Sequence, residues 1–163
     1  QVLRKQLADA SASRQHIDAP WKTDYPFHEL RRYVVETMRA HPEVDFHIWF
    51  PPVSTLRYAL EPQMDMINMA VEMRRFLGLS LASEPNVKLH GLDQAFTVTN
   101  NPVNYIDAMH FSLRVQQWVL ESLATGYYRI EAYRVDSYAE ALKNNILKFE
   151  LGETAECEPN LRL

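Results

Sequence analysis

Residues 104–112, NYIDAMHFS, set a carboxylate and an imidazole three positions apart at Asp107 and His110. On a helical turn such a pair falls on one side, so the carboxylate can accept a proton from one ring nitrogen and leave the other free as a base. The neighbouring negative charge also favours imidazolium, which suits a base that must hold a proton in mid-reaction. A structural reading competes with this one: Asp107 caps the helix that follows, and His110 is a surface or half-buried side chain. Spacing alone leaves both open.

Other residues able to do chemistry lie near the ends of two hydrophobic runs. Ser54, in PPVSTLR, is a possible nucleophile, but it lacks the small neighbours of a nucleophile elbow, and PVST reads more simply as a helix cap. Asn100 and Asn101 offer amide donors near the same edge, while Asn-Asn-Pro is equally a turn signal. His90 closes a strand and either reaches that cleft or is structural. His16, His28, His41 and His47 have no zinc-ligand spacing, and there is no HExxH and no cysteine pair, so no metal and no cofactor are expected. The methionines of PQMDMINMAVEMRRFLGLSL read as core fillers rather than a cofactor box. Trp49 and Trp118 read as core, which leaves Trp21 and Tyr25 as the surface aromatics available to a sugar.

Helices and strands must position these groups. Spacing predicts a helix over residues 26–41, with Phe27, Leu30, Tyr33, Val34, Thr37 and Met38 on its apolar face and Pro42 as its stop. A buried strand is expected over 45–50, ended by Pro51 and Pro52, then a helix over 62–81 and a second strand over 87–90. The run SLRVQQWVLESLATG places Leu113, Val115, Trp118, Val119 and Leu123 on a helix that ends at Gly126. YYRIEAYRV reads as a third strand or an extended edge, and DSYAEALKNNILKFE as a last helix capped by Asp136 or Ser137. Helices alternating with strands predict an α/β fold with a parallel sheet, whose ligands sit beyond the carboxyl ends of the strands. The loop GLDQAFTVTNNPVNYIDAMHFS is longer than a simple connection, as functional loops often are.

Composition limits the rest. A chain of 163 residues, 47% hydrophobic, suits one domain over 1–150 with an acidic, aperiodic tail at 151–163. Its 21 acids outnumber 17 bases, and the cations are scattered rather than striped, so nucleic acid is a poor partner. Cys157 is the only cysteine, which excludes a disulfide within the chain and leaves both sides of a bacterial membrane open. No run reaches the roughly 18–20 apolar residues of a membrane span, so no membrane contact by this chain is expected. The sequence begins at Gln1 within a helix-like run, QVLRKQLADA, and a processed or truncated start is expected there.

The blocks HIWFPPVS and VKLHGLDQAFTVTNNPVNYIDAMHFSLRVQQWVLES resemble the C-terminal half of an SGNH (GDSL-type) esterase or acyltransferase domain. They are most similar to bacterial envelope proteins tied to exopolysaccharide or teichoic-acid modification. The likeness covers residues 46–122, and its specific part is Asn104, Tyr105, Asp107, His110 and Ser112. It implies a three-layer α/β/α, flavodoxin-like fold, of which this chain is the whole or the C-terminal part. His110 would be the general base and Asp107 its orienting acid, with Asn100, Asn104 and Tyr105 near an acyl-ester or carbohydrate substrate. A serine would attack the ester carbonyl while backbone amides, a glycine and an asparagine stabilise the oxyanion. Location at the periplasmic or outer face, beside polysaccharide-assembly proteins, is implied likewise. The family's Gly-Asp-Ser turn is absent from this sequence. Three explanations stand: the serine lies upstream, Ser54 substitutes for it, or the domain is a non-catalytic envelope module that binds glycan or serves assembly.

Overall fold

A computed structural model describes residues 27–60, 64–107 and 109–149. The expectations for QVLRKQLADA, His16, Trp21, Tyr25, Asp24 and Pro26 as a helix start, Pro62, Cys157 and the 151–163 tail lie outside the described residues.

Helix α1 covers residues 28–40: His28–Leu30, a wider π-helical turn at Arg31–Val35, then Glu36–Ala40. The wide turn changes which side chains face inward. Val35 is fully buried, whereas Tyr33, expected on the apolar face, is 62% exposed, because five-residue hydrogen bonding rotates each later residue by less than the 3.6-residue repeat assumes. His41 and Pro42 close the helix as predicted.

Strand β1, Phe46–Phe50, pairs in parallel with β2, Val87–Gly91, in a register running from Phe46 opposite Val87 to Phe50 opposite Gly91. The crossover between them is helical, α2 at Thr55–Leu60 and α3 at Met64–Leu81, as parallel pairing requires. β1 is half-buried, not enclosed as predicted. Alternate strand residues point to opposite faces; Phe46, Ile48 and Phe50 meet the core, while Trp49, expected to be buried, is 38% exposed on the other face.

Of the two readings of YYRIEAYRV, a third strand does not form and a short extended edge does. His90 and Arg129 make a single antiparallel bridge, with the Gly91 N–H donating to the Tyr128 carbonyl and the Ile130 N–H to the Leu89 carbonyl, both at 2.8 Å. The chain then turns through Ala132–Arg134 into α6, Val135–Lys148. Arg134, not Asp136 or Ser137, holds the N-cap position, and the Ser137 hydroxyl donates to the Arg134 carbonyl at 2.9 Å. Helix α5, Leu113–Thr125, ends at Gly126 in the left-handed conformation, as its glycine predicted. Leu113, placed on the apolar face from sequence, is exposed while Val115 and Val119 are buried. At about 100° per residue, positions 113 and 115 point to opposite sides.

The described residues thus form a mixed α/β fold with a two-stranded parallel sheet among them. Helices α3 and α6 pack against each other beside it. The contact is close where α6 begins: a Cβ added at Gly78 would lie 2.7 Å from Val135 Cγ1. The main core gathers Val35, Phe50, Leu77, Leu81, Val87 and Leu89 between sheet and helices. It anchors the carboxyl ends of both strands, from which the two polar loops depart.

Candidate active site

The loop from β2 to α5 is pinned by three short turns: Leu92–Gln94, α4 at Phe96–Thr99, and Pro102–Asn104. Asn101 serves the last of these. Its side-chain oxygen accepts the Val103 N–H at 3.1 Å with Pro102 at the first position, the turn chemistry that Asn-Asn-Pro signalled. Asn104 is buried and works on the protein itself, its amide donating to the Val98 carbonyl at 3.1 Å and its own carbonyl accepting the Ser112 N–H at 2.9 Å. Those bonds close the base of a narrow loop. Tyr105 and Phe111 bridge across it, and the Ile106 N–H donates to the His110 carbonyl at 2.7 Å.

Asp107 and His110 meet at the tip. Asp107 Oδ1 accepts the N–H groups of Met109 at 2.7 Å and His110 at 2.8 Å, while Oδ2 lies 2.7 Å from His110 Nδ1. The pair is therefore formed by an Asx turn. The helical turn invoked from the spacing is not what brings it together, and Asp107 does not cap α5, whose N-cap position is Ser112. Local side-chain-to-backbone bonding has displaced the helix.

The bond from the His110 ring, followed by the amides of His110 and Met109, holds the Asp107 carboxyl down to about 2. An ionised carboxylate only accepts, so Nδ1 carries the proton and the neutral ring keeps its lone pair on Nε2. Among the described residues Nε2 has no hydrogen-bond partner, and the His110 side chain is 73% exposed. The arrangement can take up a proton from a group arriving from solvent.

Tyr105 ties this loop to the one after β1. Its hydroxyl donates to the Pro52 carbonyl at 2.6 Å, and burial raises its pKa. Ser54 follows two residues later, buried, with its Oγ accepting the Leu56 N–H at 3.3 Å at the start of α2. That is the helix-start role its sequence context pointed to, and no hydrogen bond joins it to His110. Asn100 is bound into a half-buried cluster instead: it receives a hydrogen bond from Thr55 Oγ1 at 2.7 Å and exchanges amide bonds with Asn145 at 2.9 and 3.0 Å. The Asn100 side-chain oxygen thus joins α2 to α6, and its NH2 adds a second bond to α6.

His90, whose two readings the sequence left open, is buried and stacks on His47 across the sheet, with Nε2 3.2 Å from His47 Nδ1. Trp118 packs edge-on to Tyr128, in the core role expected of it.

Two features had escaped the sequence. The first is a buried ionic cluster just after β2: Asp93 accepts from Arg74 Nε at 2.5 Å and from the Tyr138 hydroxyl at 2.6 Å, and Arg74 also donates to the Ala70 carbonyl at 2.8 Å. A cation on the inner face of α3, between Met73 and Leu77, was the available signal. The second is a cavity of about 390 Å³ walled by Leu30, Val53, Met66, Met69, Met73 and Met109. The α3 methionines were assigned to core filling; Met73 does pack against the main core, and together with Met66 and Met69 it also lines this space.

Among the described residues no group of three or more His, Cys, Asp or Glu side chains could hold a metal ion, and no helix is long and apolar enough to cross a membrane. The chain matches no family model, no curated protein and no solved structure.

Proposed function

We propose that this chain is the base-bearing C-terminal part of an SGNH-like ester hydrolase or O-acyltransferase acting on cell-envelope carbohydrate at the periplasmic or outer face of a bacterium. The observation that carries the reading is the 2.7 Å contact of His110 Nδ1 with Asp107, which leaves an exposed Nε2 without a partner among the described residues. That is the role division of a base and its orienter in serine acyl transfer. The nucleophilic serine comes from a part of the protein upstream of this sequence. Ser54 is buried and engaged at the start of α2, which argues against substitution. In the same reading the parallel sheet extends beyond β1 and β2 into a three-layer fold. The exposed His47 and Trp49 face of β1 supports this, since parallel sheets are ordinarily covered on both sides.

A fluorophosphonate probe tests the reading when applied to this chain and to the longest native product, each with and without His110→Ala, followed by peptide mapping. The expected result is label on a serine upstream of Gln1, weakened about 10²-fold or more by the substitution, as loss of a general base implies. Label on Ser54 would refute the upstream nucleophile. Absence of label on either folded product would leave the Asp107 turn as a purely structural device in a glycan-binding or assembly module.

A further inference from the structure

The cavity walled by the α3 methionines opens where substrates of α/β sheets bind, and it touches both loops of the candidate site. Val53 follows Pro52, the residue whose carbonyl anchors Tyr105, and Met109 lies between Asp107 and His110 in the chain. Its position beyond the carboxyl end of β1 is the usual ligand position of this fold class. A volume of about 390 Å³ falls within the roughly 300–1,000 Å³ of small-molecule pockets. Thioether side chains adapt to a flexible apolar guest.

Exposure around the loop points the same way. Met109, which lines the cavity, is 44% exposed, and Ile106, next to Asp107 in the chain, is 77% exposed, so apolar surface lies beside the polar Asp107–His110 pair. A polar reaction centre next to a methionine-lined hole matches an ester whose acyl part is long and apolar. It would be wasted on acetyl, which is too short to fill it.

We infer that the cavity holds a medium-length aliphatic acyl chain, with the ester carbonyl presented toward His110. This inference rests on the ester chemistry proposed above and specifies its substrate class. Each buried methylene contributes about 0.8 kcal/mol, roughly a four-fold gain in affinity.

Calorimetric titration of the full chain with hexanoate, octanoate and decanoate, each below its micelle concentration, reads that gain directly. Affinity is expected to rise roughly four-fold per methylene, or on the order of 200-fold from hexanoate to decanoate. Ala70 also lines the cavity; Ala70→Phe, which fills it, and Met69→Glu, which puts a charge on its half-exposed wall, should each abolish the length dependence while circular dichroism confirms folding. Equal affinity for the three chains, no binding at all, or binding that survives both folded variants would overturn the inference. So would photo-crosslinks from Met69→p-benzoylphenylalanine to residues 1–26 or to a second copy of the chain, because the cavity would then belong to protein. The outcome separates from that of the serine probe. Upstream labelling without length-dependent binding sinks only the acyl pocket, and length-dependent binding without labelling sinks only the esterase reading.

Discussion

Removing the Asp93 carboxylate should cost far more than its place in a loop suggests. Arg74 and Asp93 are 5% and 4% exposed, and Arg cannot lose its proton in response, so Asp93→Ala strands a guanidinium in the interior. What it keeps carries no opposite charge: the Ala70 carbonyl, the neighbouring Tyr138 hydroxyl, and the Phe50 ring, 5.2 Å from the guanidinium carbon to the ring centroid. Breaking one partner of a buried pair costs about 3–5 kcal/mol. For a domain of this size that lowers the melting temperature by roughly 6–20 °C. Because the penalty comes from the stranded charge, removing all three polar groups together should recover most of it. Arg74→Met/Asp93→Leu/Tyr138→Phe is expected within about 1–2 kcal/mol of the parent, since apolar replacement of such clusters is often neutral. Urea unfolding followed by circular dichroism measures all three proteins. A loss below about 1 kcal/mol for Asp93→Ala, or a triple variant as unstable as the single one, would refute the reasoning.

Two further outcomes follow from the loop that carries His110. Tyr105→Phe removes the 2.6 Å bond to the Pro52 carbonyl, at about 0.5–1.5 kcal/mol. Hydrogen exchange should speed up at the amides of Ile106 and Ser112 and stay unchanged in α6; equal protection across the loop would mean that the tie does not hold it. The pH dependence has a definite sign. The Asp107 carboxyl is depressed from 3.8 to about 2, so its contribution is complete above pH 3.8 and is lost only as the pH falls through about 2. Carboxyl titration by NMR should place its midpoint well below 3.8, and a midpoint at 3.8 would deny the Asx turn in solution.

Much of the local structure was legible in the residues. Pro42 and Gly126 stopped their helices, the proline pair ended β1, and Asn-Asn-Pro turned, because each acts through its own backbone constraint. The parallel pairing of β1 and β2 was legible too, since helical sequence separates them. The Asp107–His110 contact was foreseen for a partly wrong reason: three-residue spacing brought the groups together, but through an Asx turn with the amides of Met109 and His110. Short-range bonding of that kind competes with the helix and leaves the same spacing in the sequence.

Tertiary packing decided the rest. Tyr33 and Val35 exchanged places because a π turn shifted the helix register, which no apolar count reports. Met66, Met69 and Met73 have the same spacing whether they meet a core or a cavity, and only the placement of α1, α2 and the 109 loop left a space there. Asn100 and Asn145 are 45 residues apart, as are Tyr138 and Asp93, so no local pattern announces either pair. The sequence by itself determined where the chain turns and which short stretches bond to themselves, since those depend on neighbouring residues. Which buried groups share a partner, which face of β1 stays open, and whether a methionine stripe encloses space depend on distant segments arriving together, and only the fold decides them.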